Sequence, residues 1–176
     1  NSSKFKEASL FFYSLYQFDP KSEGKALKNA SILAVQSKDY LFAQKMYEEY
    51  LTSDFLINGV SYFGVNKVNG VEEEFNSKEE RSKYISLGSH EKPKDIKNST
   101  RLHYYLAHIY HANKLFSKSV PIQIKLLQSN GYLTKIQLQK TYTQLEKAFV
   151  QTNEFASALA IRKKRLKNGL AASSYD

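Results

Sequence analysis

The feature that most constrains this chain is a short pattern that recurs four times, an aromatic residue followed three positions later by a small one. Successive copies begin 35, 76 and 39 residues apart. The first spacing is close to one helical hairpin, and the second fits two hairpins with inserted residues. The pairs are Phe5 with Ala8, Tyr40 with Ala43, Phe116 with Ser119, and Phe155 with Ala158. The chain is therefore predicted to be a repeat array with one interruption.

Apolar residues with helical spacing lie on both sides of short polar turns. The turns are Gln36–Asp39, Asn113–Lys114 and Gln151–Asn153. Helix, tight turn, helix is the αα-hairpin that stacks into solenoids. With only 7 Gly and 3 Pro in 176 residues, the composition suits long helices. We expect one all-α domain over residues 1–176, with repeat helices at about 4–53 and 100–168.

Helix boundaries can also be predicted from capping residues. Asp39 and Ser22 are candidate N-caps, and Thr134 with Gln137 forms a candidate capping box. Gly131 and Gly169 lie where helices should end, because glycine readily adopts the left-handed conformation of a helix terminus.

The aromatic and small positions resemble the second helix of the tetratricopeptide repeat. The family has an aromatic residue, two variable residues and Ala, then another aromatic one turn later and Pro near the end. The matching residues are Phe5, Ala8, Phe12, Leu15 and Pro20, and again Tyr40, Ala43 and Tyr47. The resemblance implies an αα-hairpin solenoid that acts as a non-catalytic protein-binding scaffold. Residues 4–17 would be a second helix without its first, so further repeats are expected upstream.

Four residues depart from the family pattern. Arg162 and Gln123 stand where an aromatic residue is expected, Pro121 lies inside a second helix, and Glu146 replaces a small Gly. Arg162 suits an end-capping helix whose outer face meets water.

The interruption covers residues 56–98. Residues 56–76 are predicted to form a β-hairpin with a tight turn at Asn69-Gly70, and Ser77 with Glu80 to open a helix through Leu87. The insertion resembles those of uncharacterised repeat proteins of the bacterial cell envelope, which implies a periplasmic or envelope location. The absence of Cys gives no indication of the redox compartment, so the cytoplasm is the alternative.

The net charge of +9 is carried entirely by the second half of the chain. Residues 1–96 contain 13 Lys and Arg against 14 Asp and Glu, whereas residues 97–176 contain 13 against 3. This asymmetry favours an acidic peptide, a nucleic acid or another anionic surface as partner, and a simply solvated basic face is the alternative.

Sequence motifs for catalysis are absent. The chain has no Gly-rich phosphate loop, no nucleophile elbow and no apolar run of membrane-spanning length. The run Glu72–Glu74 should alternate between the faces of a strand on a solvated edge. His108 and His111 share a helix face but lack a third metal ligand, and His103 falls on the core stripe. We therefore expect no enzymatic activity, cofactor or metal.

In the tetratricopeptide family the first helix of each pair lines a concave groove, and its exposed side chains bind the partner. By register these residues are Lys25, Lys28, Asn29, Arg101, Tyr104, Tyr105, His108, His111, Lys140, Gln144 and Lys147. Such a groove suits an acidic, partly aromatic peptide. Lys28 and Asn29 supply part of the family's carboxylate clamp, although Ile32 stands where Asn is needed. A purely architectural role, or nucleic-acid binding through the run Arg162–Arg165 and Lys167, remain alternatives.

Overall fold

The computed structural model describes residues 2–20, 24–53, 56, 63–70, 72–75, 77–92, 100–128 and 133–170. Within them the chain is mostly helical with one small antiparallel sheet, as predicted. The helices are α1 (Ser2–Phe18), α2 (Gly24–Gln36), α3 (Tyr40–Thr52), α4 (Lys78–Ser86), α5 (Thr100–Ala112), α6 (Phe116–Gln128), α7 (Lys135–Gln151) and α8 (Phe155–Lys167). The strands are β1 (Phe63–Asn66), β2 (Glu72–Glu74) and β3 (His90–Glu91).

The chain divides into two compact units, residues 1–102 and residues 103–176. The boundary falls within α5, and each unit is described by itself below. The prediction of a single continuous repeat domain stays a prediction.

The same turn closes three of the helical hairpins. Lys38, Lys114 and Asn153 each adopt a left-handed φ, of 65°, 59° and 62°, two residues before the next helix begins. The residue after each donates its amide to a carbonyl five positions back, at 2.7–2.9 Å. This is the Schellman arrangement, in which the last helical carbonyls find donors beyond the helix end. The predicted αα-hairpins and their polar turns are therefore confirmed, while their stacking into one solenoid stays a prediction.

In the first unit, α1 packs on α2 and α2 packs on α3. Serines mark the crossings: Ser9 Oγ donates to the Ala30 carbonyl at 2.7 Å, and Ser31 Oγ donates to the Ala43 carbonyl at 2.8 Å. Side chains this small let the helix backbones approach closely. Tyr47 is fully buried, and its hydroxyl donates to the Leu102 carbonyl at 3.1 Å.

In the second unit the small residues serve the same purpose. Ala107 of α5 packs with Tyr104 and with Leu126 of α6. Ala158 of α8 packs with Leu145 and Phe149 of α7. The predicted capping box of Thr134 and Gln137 opens α7, and Gly169, with φ of 65°, follows the end of α8 as expected. The predicted cap Asp39 accepts the Phe42 amide at 3.2 Å in the first unit, whereas two further predicted caps, Ser22 and Gly131, lie outside the described residues.

The insertion folds differently from the prediction in two respects. β1 is the central strand of the order β2-β1-β3, so the sheet gains a third strand at His90–Glu91 beyond the predicted hairpin. The predicted tight turn at Asn69-Gly70 is also wrong, because the Gly70 amide donates to the Asn66 carbonyl across three residues and only Gly70 has a left-handed φ. Asn66 stabilises this wider loop by accepting the Val68 amide at 2.9 Å. Residues 57–62 of the predicted hairpin lie outside the described residues.

The N-cap and the terminating glycine predicted for the helix of the insertion are confirmed. The Ser77 side chain accepts the Glu80 amide at 3.1 Å at the start of α4, and Gly88 follows its end with φ of 76°. A small aromatic core joins α4 to the sheet, with the Phe75 and Tyr84 rings stacked at 5.1 Å.

Replacing Ala158 with Leu tests whether this residue lies where α7 and α8 cross. Because Ala158 is buried against Phe149, Ala158→Leu should overpack the hairpin and lower the free energy of unfolding by about 1–3 kcal/mol. Ala160 lies exposed on the same helix, so Ala160→Leu should change stability by less than about 0.5 kcal/mol. Urea unfolding of both variants measures the difference, and equal losses would show that Ala158 does not lie at the crossing.

Candidate functional site

The predicted groove residues fall in both units. Lys25, Lys28 and Asn29 of α2 and Arg101 of α5 belong to the first unit. The other seven belong to the second unit, on the rest of α5 and on α7.

In the first unit the predicted cations surround a carboxylate of the chain itself. Lys28 Nζ contacts Glu74 Oε2, and Lys25 Nζ lies 3.9 Å from Glu74 Oε1. Burial, together with the nearby charges of Arg101 and Lys25, lowers the pKa of Lys28, whereas the Glu74 carboxylate favours its charged form. Lys28 is only 8% exposed. The expectation that it presents its amine to a groove is therefore wrong, because β2 of the insertion covers it.

In the second unit His108 connects α5 to α7. Its Nδ1 lies 2.5 Å from Gln144 Nε2, and its Nε2 lies 3.5 Å from Lys140 Nζ. Burial is the main cause that lowers the pKa of His108 to about 4, and the charges of Lys140 and His111 add to it. His108 is therefore a neutral imidazole at pH 7.

His111 lies one helical turn beyond His108, beside Lys147 of α7. Burial and the Lys147 charge lower the pKa of His111, and its Nδ1 is buried with no hydrogen-bond partner among the described residues. We call His108, His111, Lys140, Gln144 and Lys147 the basic strip. It combines two lysines with neutral groups that can donate or accept hydrogen bonds.

A pocket of about 630 Å³ lies at the His111 end of the basic strip. Phe116 and Val150 give it an apolar wall, and the His111 and Phe116 ring centroids are 5.4 Å apart. The charged side chains that line it are Lys114, Lys147, Arg162 and Glu146. Three of these four side chains are cations, so the pocket favours a ligand that carries an anionic group next to an apolar one.

Glu146 is buried where the family has a small residue, and two arginines of α8 bind it. Arg162 donates from Nε at 2.7 Å and from a terminal nitrogen at 2.6 Å, while a terminal nitrogen of Arg165 lies 3.7 Å away. Arg165 is 1% exposed and also donates to Thr143 Oγ1 at 3.2 Å. These contacts join α8 to α7, and the one carboxylate offsets one of the two positive charges.

The run Arg162–Arg165 is therefore not solvated throughout, because Arg165 is buried and Arg162, although half exposed, is paired with Glu146, while phosphate binding by the run stays a prediction. Arg162 and Arg165 lie four and seven positions after Ala158, which puts them on the face of α8 that packs against α7. Lys163, Lys164 and Lys167 are exposed. The spacing of Arg162 and Arg165 from Ala158 is the sequence signal that indicates their position beside α7.

Tyr104 also differs from its predicted place. It is 8% exposed and packs with Ala107 and Leu126, so it belongs to the core. Tyr105 is half-buried and meets the Tyr104 ring edge-on, with centroids 5.5 Å apart. His103, expected in the core, is half-buried.

The run of glutamates at residues 72–74 shows the expected alternation but only part of the expected exposure. Glu73 binds His90 Nε2 at 3.1 Å and Asn66 Nδ2 at 3.3 Å, whereas Glu74 points to α2. The Glu73 side chain is 40% exposed and that of Glu74 only 9%, so a fully solvated edge was the wrong prediction for Glu74. For Glu72 the structure describes the backbone in β2 but not the side chain.

The part of the chain that the structure describes contains neither a grouped set of metal ligands nor a membrane-spanning helix. No three His, Asp or Glu side chains there are grouped to hold a metal ion. Among the described helices, none has the length and apolar character needed to cross a bilayer.

Comparison with known proteins adds no family to these observations. A scan against models of protein families and a search of curated proteins each found no match to the chain.

Proposed function

We propose that the chain is a non-catalytic peptide-binding scaffold of the tetratricopeptide type, and that its second unit binds an acidic segment of a partner protein along the basic strip. The observation that supports this most is the contact of His108 with both Lys140 and Gln144. It joins side chains of α5 and α7, the two helices that the predicted register assigns to the groove, into one polar surface.

The charges of the basic strip suit a peptide carboxylate. Because His108 is neutral at pH 7, the positive charge of the strip resides on Lys140 and Lys147. Burial lowers the pKa of Lys140, so a carboxylate placed beside it would stabilise the ammonium form. The imidazole and amide groups can hydrogen bond to a peptide backbone, while the apolar wall of the pocket can receive a side chain.

Nucleic-acid binding is the second candidate, and the exposed lysines of α8 favour it. Lys163, Lys164 and Lys167 form a cationic edge that phosphates could reach. The arginines that would give such a surface its bidentate phosphate contacts are Arg162 and Arg165, and both are bound to Glu146. An acidic peptide on the basic strip is therefore the better supported ligand.

Removing one lysine of the basic strip should weaken peptide binding. Lys140→Ala and Lys147→Ala should each raise the Kd for an acidic peptide about tenfold, since a charge-assisted hydrogen bond contributes roughly 1.5–3 kcal/mol. The melting temperature should change little, because both lysines are exposed. Fluorescence anisotropy with a labelled Glu-rich peptide gives the Kd, and Lys135→Ala, an exposed lysine near the start of α7, is the control.

The same variants distinguish the three candidate functions. A short RNA titrated at two salt concentrations should bind weakly and depend on Lys163 and Lys164 rather than on Lys140 and Lys147. Loss of RNA binding together with unchanged peptide binding in the strip variants would contradict our proposal. Binding of neither ligand would favour the architectural role.

A further inference from the structure

Glu74 of the insertion contacts two lysines of α2, and a third cation, Arg101 of α5, lies near one of them. Its carboxylate contacts Lys28 Nζ and lies 3.9 Å from Lys25 Nζ, and Arg101 is close enough for its charge to act on Lys28. Lys25 and Lys28 are three positions apart on α2 and therefore share one face of the helix. Glu74 comes from β2, far from α2 in the sequence. The contact thus joins the insertion to the repeat helices.

The cations form a site that needs a carboxylate. Only about a tenth of the Lys28 and Glu74 side chains is exposed, so water solvates their charges poorly. Three like charges held together in such surroundings repel one another, and a single carboxylate among them offsets part of that cost. The three cations were also those that the repeat register assigned to the binding groove of the first unit.

Glu74 reaches the site from a strand that is weakly held. β2 has three residues and pairs within the described sheet with β1 alone, so it is an edge strand. Glu73, the neighbouring residue, points to the opposite face and binds His90 and Asn66. Of the two β2 carboxylates whose positions are described, Glu73 and Glu74, only Glu74 is directed at α2.

We propose that Lys25 and Lys28 form a carboxylate-binding site to which the nearby Arg101 adds positive charge, that Glu74 occupies it as an internal ligand, and that an external acidic side chain or peptide C-terminus binds there once Glu74 is withdrawn. The insertion then controls whether the first unit accepts an acidic partner. This inference goes beyond the peptide binding proposed for the second unit, since it concerns different residues in a different unit. Either proposal can fail without the other.

Chemical rescue with acetate tests the site directly. Glu74→Ala removes the side chain beyond Cβ, and acetate has the size and charge of the missing group. Saturating sodium acetate should raise the melting temperature of Glu74→Ala by about 3 °C or more over sodium chloride at the same ionic strength, because the anion binds the folded state alone. Wild type, in which Glu74 fills the site, should respond equally to the two salts. Acetamide, which is neutral, should not rescue the variant.

Two variants serve as controls for the rescue. Glu73→Ala removes the adjacent carboxylate on the opposite face, so acetate should not stabilise it more than chloride does. The double variant Glu74→Ala with Lys28→Ala should lose the acetate effect, since it lacks the amine that contacts the carboxylate. An equal response of Glu74→Ala to acetate and chloride would overturn the proposal.

A peptide experiment covers the case in which Glu74→Ala fails to fold. Glu74→Gln keeps the side-chain volume but releases the cations, and it should bind a Glu-rich peptide at least tenfold more tightly than wild type does. Carrying Lys140→Ala and Lys147→Ala together in both proteins removes both positive charges of the basic strip, so that binding by the second unit is suppressed equally in the two. The same peptide with free and with amidated C-terminus distinguishes a chain-end carboxylate from an acidic side chain. Equal affinity of Glu74→Gln and wild type for both peptides would refute the internal-ligand role of Glu74.

Discussion

Replacing Glu146 with Leu should lower the free energy of unfolding by about 3–5 kcal/mol, because it removes the carboxylate that neutralises a buried guanidinium. Arg165 is 1% exposed and cannot reach water without separating α8 from α7. Arg162 can turn outward, since half of its side chain is already exposed. The loss should therefore come mainly from Arg165.

A double variant separates loss of charge from loss of packing. Glu146→Leu with Arg165→Met replaces the buried ion pair by apolar side chains of similar volume, a change that is often neutral or stabilising. Most of the lost stability should return, measured as the urea midpoint at constant slope. Glu154→Leu, an exposed acid at the start of α8, should change stability by less than about 1 kcal/mol. A double variant as unstable as Glu146→Leu alone would show that Arg165 does not depend on Glu146.

The pairing of Glu146 with Arg162 explains two departures from the repeat pattern together. Each residue departs from the tetratricopeptide pattern that the sequence resembles when its own helix is considered alone, one by placing charge at a small position and the other by standing at an aromatic position. In the structure their side chains meet at 2.6–2.7 Å. Gln123 is a similar case, since it is buried at an aromatic position and donates to Gln144 Oε1 at 3.4 Å. Polar pairs between helices thus replace part of the expected aromatic packing.

Local signals predicted much of the fold. The αα-hairpins follow from helical periodicity and from turn residues that allow a left-handed φ, and the caps at Asp39, Ser77 and Thr134 follow from side chains that bind the helix start. Such interactions span only a few residues. They can therefore be predicted from a single sequence.

Features that depend on distant parts of the chain could not be predicted in the same way. β3 has two residues, too few for a periodicity signal, and it exists because β1 offers it a pairing edge. Glu74 pairs with Lys28 only because the insertion folds back onto α2. Tyr104 was assigned to the groove from register alone, although a small rotation of the helix decides whether it faces the core.

The stability of the second unit should fall as the pH falls from about 6.5 to about 4, because His108 is buried as a neutral ring. Its folded pKa is about 4 and its ordinary value is 6.5. Between these values the unfolded chain binds a proton that the folded chain does not, so the free energy of unfolding decreases, by on the order of 2–3 kcal/mol. His111, whose pKa is also lowered, acts in the same direction. Above about pH 7.5 both rings are neutral in both states, and neither contributes a slope.

His108→Gln isolates this effect, because Gln cannot titrate and can still hydrogen bond to Gln144. Carboxylates also titrate near pH 4, but they do so in both proteins, so the difference between the two stability curves reports on His108. Urea unfolding at intervals from pH 7 to pH 4 should show that wild type loses more stability than His108→Gln as the pH falls, since wild type alone bears the cost of charging His108. Curves that stay parallel would mean that His108 is protonated as readily in the folded as in the unfolded chain, which would place its ring in water rather than between α5 and α7.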